Sequence, residues 1–388
     1  MKRVFTLIIC SGMLACASLA EDSQALLRSG TRVAITDISP AGITLATERG
    51  RPAKLESLSQ VKSVSGPLAG KFDDNRSLAT DLWRASARLG RDDEGGAEPL
   101  YEQLWVRTAG TSGPTRAEVA AGLAACRVHR GALATAIEPW TEWVRQSASL
   151  APEQVVAQRA RLGISDPTSN WIDVLPPVWT DSTAVRALAG QGLTTHAPST
   201  AHPSGDDLFL IYAVAARRDT GQPWKIDLAQ ASKDPAWANL AGDMVLAECD
   251  NPEVRAESRQ KLTARLTGDV PLWKQIWIRL AFGRSLLAES GADDRRAGVL
   301  NLLWIASRTS APQPLVALAL VGASRGLSLL GDMDGSRALL DDLERRFSGD
   351  VVLDSPGVAS LRHTLAQMPP ASPKTSPLPQ SAPVPDKE

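Results

Sequence analysis

The strongest constraint on this chain is a pair of apolar stripes at helical spacing within residues 315–347. Apolar side chains recur every three or four positions on both sides of the sequence Gly-Asp-Met-Asp-Gly, which is typical of a chain reversal. A length of about 33 residues matches one unit of a helical repeat. The pattern therefore predicts an antiparallel helical hairpin.

Small residues twelve positions apart flank a turn sequence at four places in the chain. The pairs are Ala85 and Ala97, Ala124 and Ala136, Ser285 and Ala297, and Ser324 and Ser336. Two antiparallel helices can cross closely only where each presents a small side chain, and the turn between them needs glycine or aspartate. The spacing predicts two hairpins within residues 76–162 and further hairpins within residues 206–368.

The last of these hairpins resembles the tetratricopeptide repeat. That family's helix-A aromatic, turn, small and helix-B aromatic positions correspond to Leu327, Gly331, Asp332, Ser336 and Leu340. The chain departs from the family in its uneven spacing and in the absence of the closing proline. The resemblance implies a surface that binds other proteins, not a catalytic activity.

The first twenty residues have the three parts of a secretory signal peptide. Residues 2–3 are basic, residues 4–17 are apolar, and residues 18–20 place small side chains where signal peptidase cleaves. We expect cleavage after Ala20 and a periplasmic or secreted location in a bacterial envelope. The alternative is a lipid anchor at Cys16, which ends a partial lipoprotein box. No later segment has the ~20 uninterrupted apolar residues of a membrane span.

Residues 21–66 alternate apolar and polar positions between turns that contain glycine or proline. A period of two predicts short antiparallel strands, although residues 23–29 also fit a short helix. So small a segment must pack on the helices because it cannot form a good core alone. The predicted fold is mainly α: an irregular tetratricopeptide-like array of α-hairpins with a small N-terminal antiparallel β segment. Residues 66–75 fit a linker between the two.

Two segments lack a regular pattern. Residues 163–205 are rich in Pro, Ser, Thr and Gly and predict a long loop or insertion, of which residues 170–188 carry enough apolar side chains to pack on the helices. Residues 369–388 are rich in proline without apolar periodicity and predict a disordered tail.

The sequence contains few features that indicate catalysis, metal binding or nucleic-acid binding. The net charge is −1 and acidic and basic residues are interleaved, so the charge distribution does not indicate nucleic-acid binding. Phosphate-binding and common hydrolase motifs are absent from the sequence. Ser59 and Lys62 match SxxK without its companion motifs, and His196 and His202 would need a third ligand to hold a metal. We expect no catalytic residues, no metal and no cofactor.

The tryptophans are the candidate partner-binding residues. Trp140 and Trp143 are three residues apart, and Trp273 and Trp277 are four apart, so each pair shares a helix face. Such a face either fills the space between hairpins or is exposed to a partner peptide or a sugar.

Cys126 and Cys249 are the two cysteines beyond the leader. Both lie beside small apolar residues in helical patterns, which favours two separate buried thiols; a disulfide is the alternative in an oxidising compartment.

These patterns predict a non-enzymatic module that binds another envelope or periplasmic protein. The alternative is a protein that binds or processes cell-wall polymer or another polysaccharide through exposed tryptophan faces.

Overall fold

The structure is a computed structural model that describes residues 23–46, 53–167, 169–191, 204–222 and 231–367. The leader of residues 1–20, its Cys16 alternative and the tail of residues 369–388 lie outside the described residues, so the predictions about them stay predictions.

The N-terminal β segment is a five-stranded antiparallel sheet. Its strands are β1 (Gln24–Leu27), β2 (Arg32–Ser39), β3 (Gly42–Leu45), β4 (Lys54–Glu56) and β5 (Val61–Ser65), in the spatial order β4-β3-β2-β1-β5. The chain turns from β2 into β3 through Pro40-Ala41, with Ser39 paired to Gly42. Residues 23–29 contain β1 and are not helical, because β1 pairs with a strand on each side.

The described residues contain fourteen α-helices, so the predicted mainly α fold is confirmed. They are α1 (Ala69–Leu89), α2 (Glu94–Arg107), α3 (Pro114–His129), α4 (Leu133–Ser147), α5 (Pro152–Arg161), α6 (Thr183–Gly190), α7 (Gly205–Asp219), α8 (Leu240–Leu246), α9 (Pro252–Ala264), α10 (Leu272–Leu287), α11 (Ala292–Ala306), α12 (Gln313–Leu329), α13 (Met333–Arg346) and α14 (Pro356–Gln367). The prediction of a linker at residues 66–75 is wrong for most of that range, because α1 begins at Ala69. The expected loop of residues 163–205 contains one helix, α6.

The sheet packs on the first helices, as expected for a segment that has no core of its own. It contacts α1 and the start of α3, where the backbone N–H of Thr115 donates to the carbonyl of Ala41 over 3.1 Å. The Thr115 hydroxyl in turn accepts from the N–H of Leu58 over 3.2 Å. These bonds fix the sheet at one end of the helical array.

Each of the four predicted helical hairpins forms: α1–α2, α3–α4, α10–α11 and α12–α13 pack as adjacent pairs. Three of their turns use the left-handed backbone conformation, at Gly131 (φ 76°), at Gly331 (φ 81°) and, in the first hairpin, at Asp92 (φ 57°). Aspartate tolerates this conformation better than most residues. The following residue, Asp93, caps α2 by accepting from the N–H of Gly96 over 3.0 Å.

Small residues lie at the helix crossings, although not always at the predicted pair. The alanine pairs of the first two hairpins are fully buried. In α12–α13, the Ser324 hydroxyl donates to the Ser336 carbonyl over 2.7 Å, and the Ser336 hydroxyl donates back to the Ser324 carbonyl over 2.9 Å. In α10–α11 the closest approach lies at Gly283 and Gly298: a Cβ at Gly298 would lie 2.9 Å from the Gly283 carbonyl oxygen.

The helices enclose two apolar cores that share α8 as a wall. The first core extends from the sheet to α9, and the second from α8 to α14. All seven residues of α8 are buried: Ala241 and Val245 face the first core, and Leu240 and Met244 face the second. The spacing of four within each pair puts each on one side of the helix.

A buried ionic cluster also joins the two cores. The Asp219 carboxylate, at the end of α7, lies 2.8 Å from both the Arg218 Nε and the Arg284 Nη2 of α10. Glu248 pairs with the same two guanidinium groups at 3.3 and 2.9 Å. Burial opposes the ionisation of Asp219, but the two guanidinium groups outweigh it and lower the pKa of this carboxyl. The cluster therefore holds α7 and α10 together with paired charges.

Candidate binding cleft

A cleft of about 320 Å³ opens where the two cores meet. Its walls come from the loop before α6, from the segment around α8, and from the start of α10. The aromatic and polar side chains that line it include Asp166, Ser169, Asn170, Trp171, Asn239, Arg265, Trp273 and Lys274. This volume lies at the lower end of the range of small-ligand and peptide-anchor pockets, about 300–1,000 Å³.

A chain of aromatic rings lies behind the cleft and fixes its loop wall. The ring of Trp171 lies 5.9 Å from that of Trp140 and 5.8 Å from that of Trp277, and Trp277 lies 5.3 Å from Trp273. The indole N–H of Trp140 donates to the Asn170 carbonyl over 2.9 Å, and that of Trp277 donates to the Asp173 carbonyl over 2.7 Å. The loop that carries Trp171 is thus bound to α4 and α10 at once.

The four candidate partner-binding tryptophans are buried. Trp140, Trp143 and Trp277 have no exposed surface, and Trp273 retains 7%. The interpretation of Trp140, Trp143, Trp273 and Trp277 as exposed recognition faces does not hold for this fold, because each face packs on a neighbouring segment. The packing alternative describes them correctly. Trp273 alone also lines the cleft.

The structure separates the members of one predicted pair. Trp140 joins the aromatic chain at the cleft, whereas the indole N–H of Trp143 points to α5 and donates to the Gln158 side-chain oxygen over 2.7 Å. The helix face was predicted correctly, but two residues on it contact different segments.

The cleft carries one ammonium group without a protein counter-ion. Arg265 is neutralised by the buried carboxylate of Asp243, at 2.8 Å from Nε and 2.7 Å from Nη2. Burial raises the pKa of Asp243 even though Arg265 favours its charged form. Lys274 makes no ion pair with any residue in the described part of the chain. The cleft lining therefore combines an aromatic wall, the side-chain amides of Asn170 and Asn239, the Asp166 carboxylate, and an ammonium group that has no ion pair among the described residues.

Trp171, Asn170 and Lys274 were not predicted as site residues. Trp171 and Asn170 lie in a segment whose pattern indicated only that it packs, and Lys274 is an isolated cation at the start of a helix. A sequence signal for the cleft would have required knowing that residues about a hundred positions apart meet there, as Asp173 and Trp277 do.

A second cavity of about 280 Å³ lies between the sheet, α3 and α5. At its base the buried Glu118 carboxylate accepts hydrogen bonds from the Ser59 hydroxyl and the Ser86 hydroxyl, each over 2.6 Å, and Arg161 lies 3.9 Å away. Ser59 thus binds a carboxylate, while Lys62 is exposed on β5. These hydrogen bonds connect the segment between β4 and β5 with α1 and α3. Ser59 therefore has a structural partner in Glu118 and is not arranged as the nucleophile of an SxxK motif.

The metal-ligand and cysteine candidates from the sequence do not form a further site among the described residues. Within the described ranges, no group of three or more His, Cys, Asp or Glu residues could hold a metal. His196 and His202 lie outside the described residues. Cys126 and Cys249 are buried and unpaired, which confirms the prediction of two separate thiols. Among the described helices, none combines the length and the apolar character that crossing a membrane requires.

No protein-family model, no curated protein and no solved structure matches this chain. Its function is therefore inferred from its own geometry.

Proposed function

We propose that this chain is a secreted, non-enzymatic interaction module of a bacterial cell envelope, which binds a segment of another envelope protein. The observation that carries the proposal is the cleft between the two cores, where Trp171, side-chain amides and the unpaired Lys274 line one concave surface. The resemblance to tetratricopeptide repeats supports it, because that family implies a protein-binding surface.

The chemistry of the cleft suits an extended peptide. A tryptophan ring offers a flat apolar surface, and clusters of aromatic and cationic side chains dominate the energy of many protein interfaces. The ammonium group of Lys274 suits a carboxylate of the partner. A cleft lined by residues from three segments also selects its ligand more sharply than a single helix face.

Site-specific crosslinking tests the proposal in the full-length protein. A photoreactive amino acid at position 274 should give a discrete crosslinked product with an envelope protein. The same amino acid at position 62, which is exposed on β5 on the sheet side of the chain, is the control. Equal products at the two positions, or none at either, would contradict the proposal.

The proposed location has its own test. Mass spectrometry of protein purified from the envelope fraction should show Glu21 as the first residue. A mature chain that begins with a lipid-modified Cys16 would show instead that the protein is anchored, and a retained leader would refute export.

Binding of a wall polysaccharide is the second candidate, and Trp171 favours it. Indole rings stack on sugar rings. Beside Trp171, the Asn170 side-chain oxygen accepts hydrogen bonds from Arg159, so a hydrogen bond to a sugar would come from its amide N–H groups. Binding to purified wall polymer, lost in Trp171→Leu and kept in Trp83→Leu, would support this function. Trp83 is the matched control because it is a tryptophan of another surface, 43% exposed and stacked by Arg28.

A further inference from the structure

Two arginines meet on one tryptophan ring at the far end of the α10–α11 hairpin. The guanidinium carbon of Arg279, on α10, lies 4.3 Å from the centre of the Trp304 ring, and that of Arg308 lies 4.4 Å from it. Arg308 and the loop that carries it are exposed, while Trp304 is half-buried. Stacking on an aromatic face restrains a guanidinium group and leaves its N–H edge free to bind.

The two positive charges have no acidic partner in the described residues. One arginine of the same hairpin does have a carboxylate partner, since Arg296 pairs with Asp293 at 2.7 Å. By contrast, Arg279 reaches only the neutral side chain of Asn301, over 3.0 Å, and its Nε is buried without a hydrogen-bond partner. Burial and the charge of Arg308 together lower the pKa of Arg279. Both guanidinium groups are thus held on the Trp304 ring with no carboxylate among the described residues to offset their mutual repulsion.

We propose that Arg279, Trp304 and Arg308 form a docking site for an acidic side chain of the partner protein. The inference deepens the proposed function and rests on it for the kind of partner. The ligand is an aspartate or glutamate carboxylate, because the site presents two positive charges that have no acidic partner among the described residues. Two fixed guanidinium edges can each donate to a carboxylate, and such charge-assisted bonds are the strong ones at a protein surface.

The site adds a second contact to the cleft. Lys274 and Arg279 lie on the same helix, α10, five residues apart, which places them about 140° apart around the helix axis, so a partner segment that reaches both must pass around α10. A partner segment with an acidic residue at each contact would be recognised by spacing as well as by charge.

A peptide probe tests this docking site on the full-length protein. The probe is a short fluorescein-labelled peptide of alternating glutamate and alanine, followed by fluorescence anisotropy. We expect Arg308→Ala to weaken binding about fivefold, the effect of one exposed ionic contact, and Arg308→Glu to weaken it further. Arg296→Ala removes an exposed arginine from the same hairpin and should leave binding unchanged.

Three results would overturn the inference. One is equal binding of a glutamine-alanine peptide, and the second is equal loss of binding in Arg308→Ala and Arg296→Ala. The third is Arg308-dependent binding to phosphatidylglycerol vesicles without binding of the peptide, which would make a lipid headgroup the ligand.

The outcome also separates this inference from the proposed function. If crosslinking at position 274 captures a partner but Arg308→Glu does not reduce the product, the docking site fails and the interaction module stands. If the peptide binds through Arg308 but no partner is captured, the anion site stands and the proposed function fails.

Discussion

The crossing of α12 and α13 gives the sharpest test of how this fold is built. Ser324 and Ser336 are buried to 1% and 0% exposure, and each hydroxyl donates to the carbonyl of the other residue. Two helices can approach this closely only because neither residue carries a larger side chain. We predict that Ser336→Leu destabilises the protein strongly, whereas Ser336→Ala destabilises it mildly.

The two magnitudes follow from different losses. Ser336→Ala removes one hydroxyl donor, so the Ser324 carbonyl loses its side-chain hydrogen bond at a cost of about 1 kcal/mol. Ser336→Leu loses the same bond and also forces extra carbon atoms into a filled crossing, which adds about 1–3 kcal/mol. The leucine variant should therefore lose about 2–4 kcal/mol of unfolding free energy in total.

Urea unfolding followed by far-UV circular dichroism measures both variants. Leu300→Ala is the control: Leu300 is 66% exposed on α11, and its truncation should change the unfolding free energy by less than about 0.5 kcal/mol. If Ser336→Leu were no more costly than Ser336→Ala, the crossing would tolerate bulk, and the small pairs twelve residues apart would have no structural meaning.

Three further predictions concern a helix contact, an ion pair and a thiol. Gly122→Ala should cost about 1–3 kcal/mol in the same assay, since a Cβ there would overlap the ring of Tyr101. The Arg255 hydrogen bond lowers the pKa of Glu289, so this carboxylate stabilises the fold above its unfolded-state pKa and loses that effect as the pH falls through its folded-state pKa. The stability difference between the wild type and Glu289→Gln should therefore shrink from pH 7 toward pH 3. Burial raises the pKa of the Cys126 thiol to about 12, so mass spectrometry should show alkylation at pH 8 only after denaturation.

The hairpins could be predicted because their determinants are local. A turn residue that tolerates positive φ, such as Gly331, and small residues twelve positions apart on either side of it, such as Ser324 and Ser336, lie within one stretch of sequence. These features decide the chain reversal before any other part of the protein is considered. The apolar helical periodicity then fixes which face of each helix is buried.

What the sequence left undecided depends on distant partners. Residues 23–29 fit a short helix by sequence, but the structure places β1 there because it pairs with a strand on each side. The tryptophan faces of α4 and α10 were identified, but whether Trp140 is buried depends on Trp171 and Tyr212, which come from other segments. In α10–α11 the glycine pair replaces the predicted Ser285 and Ala297 at the closest approach, because glycine allows a closer crossing than either.

The cleft escaped prediction for the same reason, since three distant segments form it. Its lining residues have ordinary local roles: Asn239 caps α8 through a 3.0 Å bond from the N–H of Gly242, and Arg265 pairs with Asp243. Lys274 gains significance only when the fold shows that no carboxylate of the described residues forms an ion pair with it. A site made of unpaired groups cannot be recognised until their neighbours are known.

The connections between the two cores determine how rigid the cleft is before a proposed ligand would bind. The helix α8 is buried on both sides, the ring chain through Trp171 reaches both α4 and α10, and the cluster of Asp219 and Glu248 holds α7 to α10. A cleft bounded by three such connections is formed before any ligand arrives. Because only the partner segment must then become ordered, most of the contact energy is available for affinity. We therefore expect the cleft to discriminate between segments mainly by shape and charge rather than by rearranging around each one.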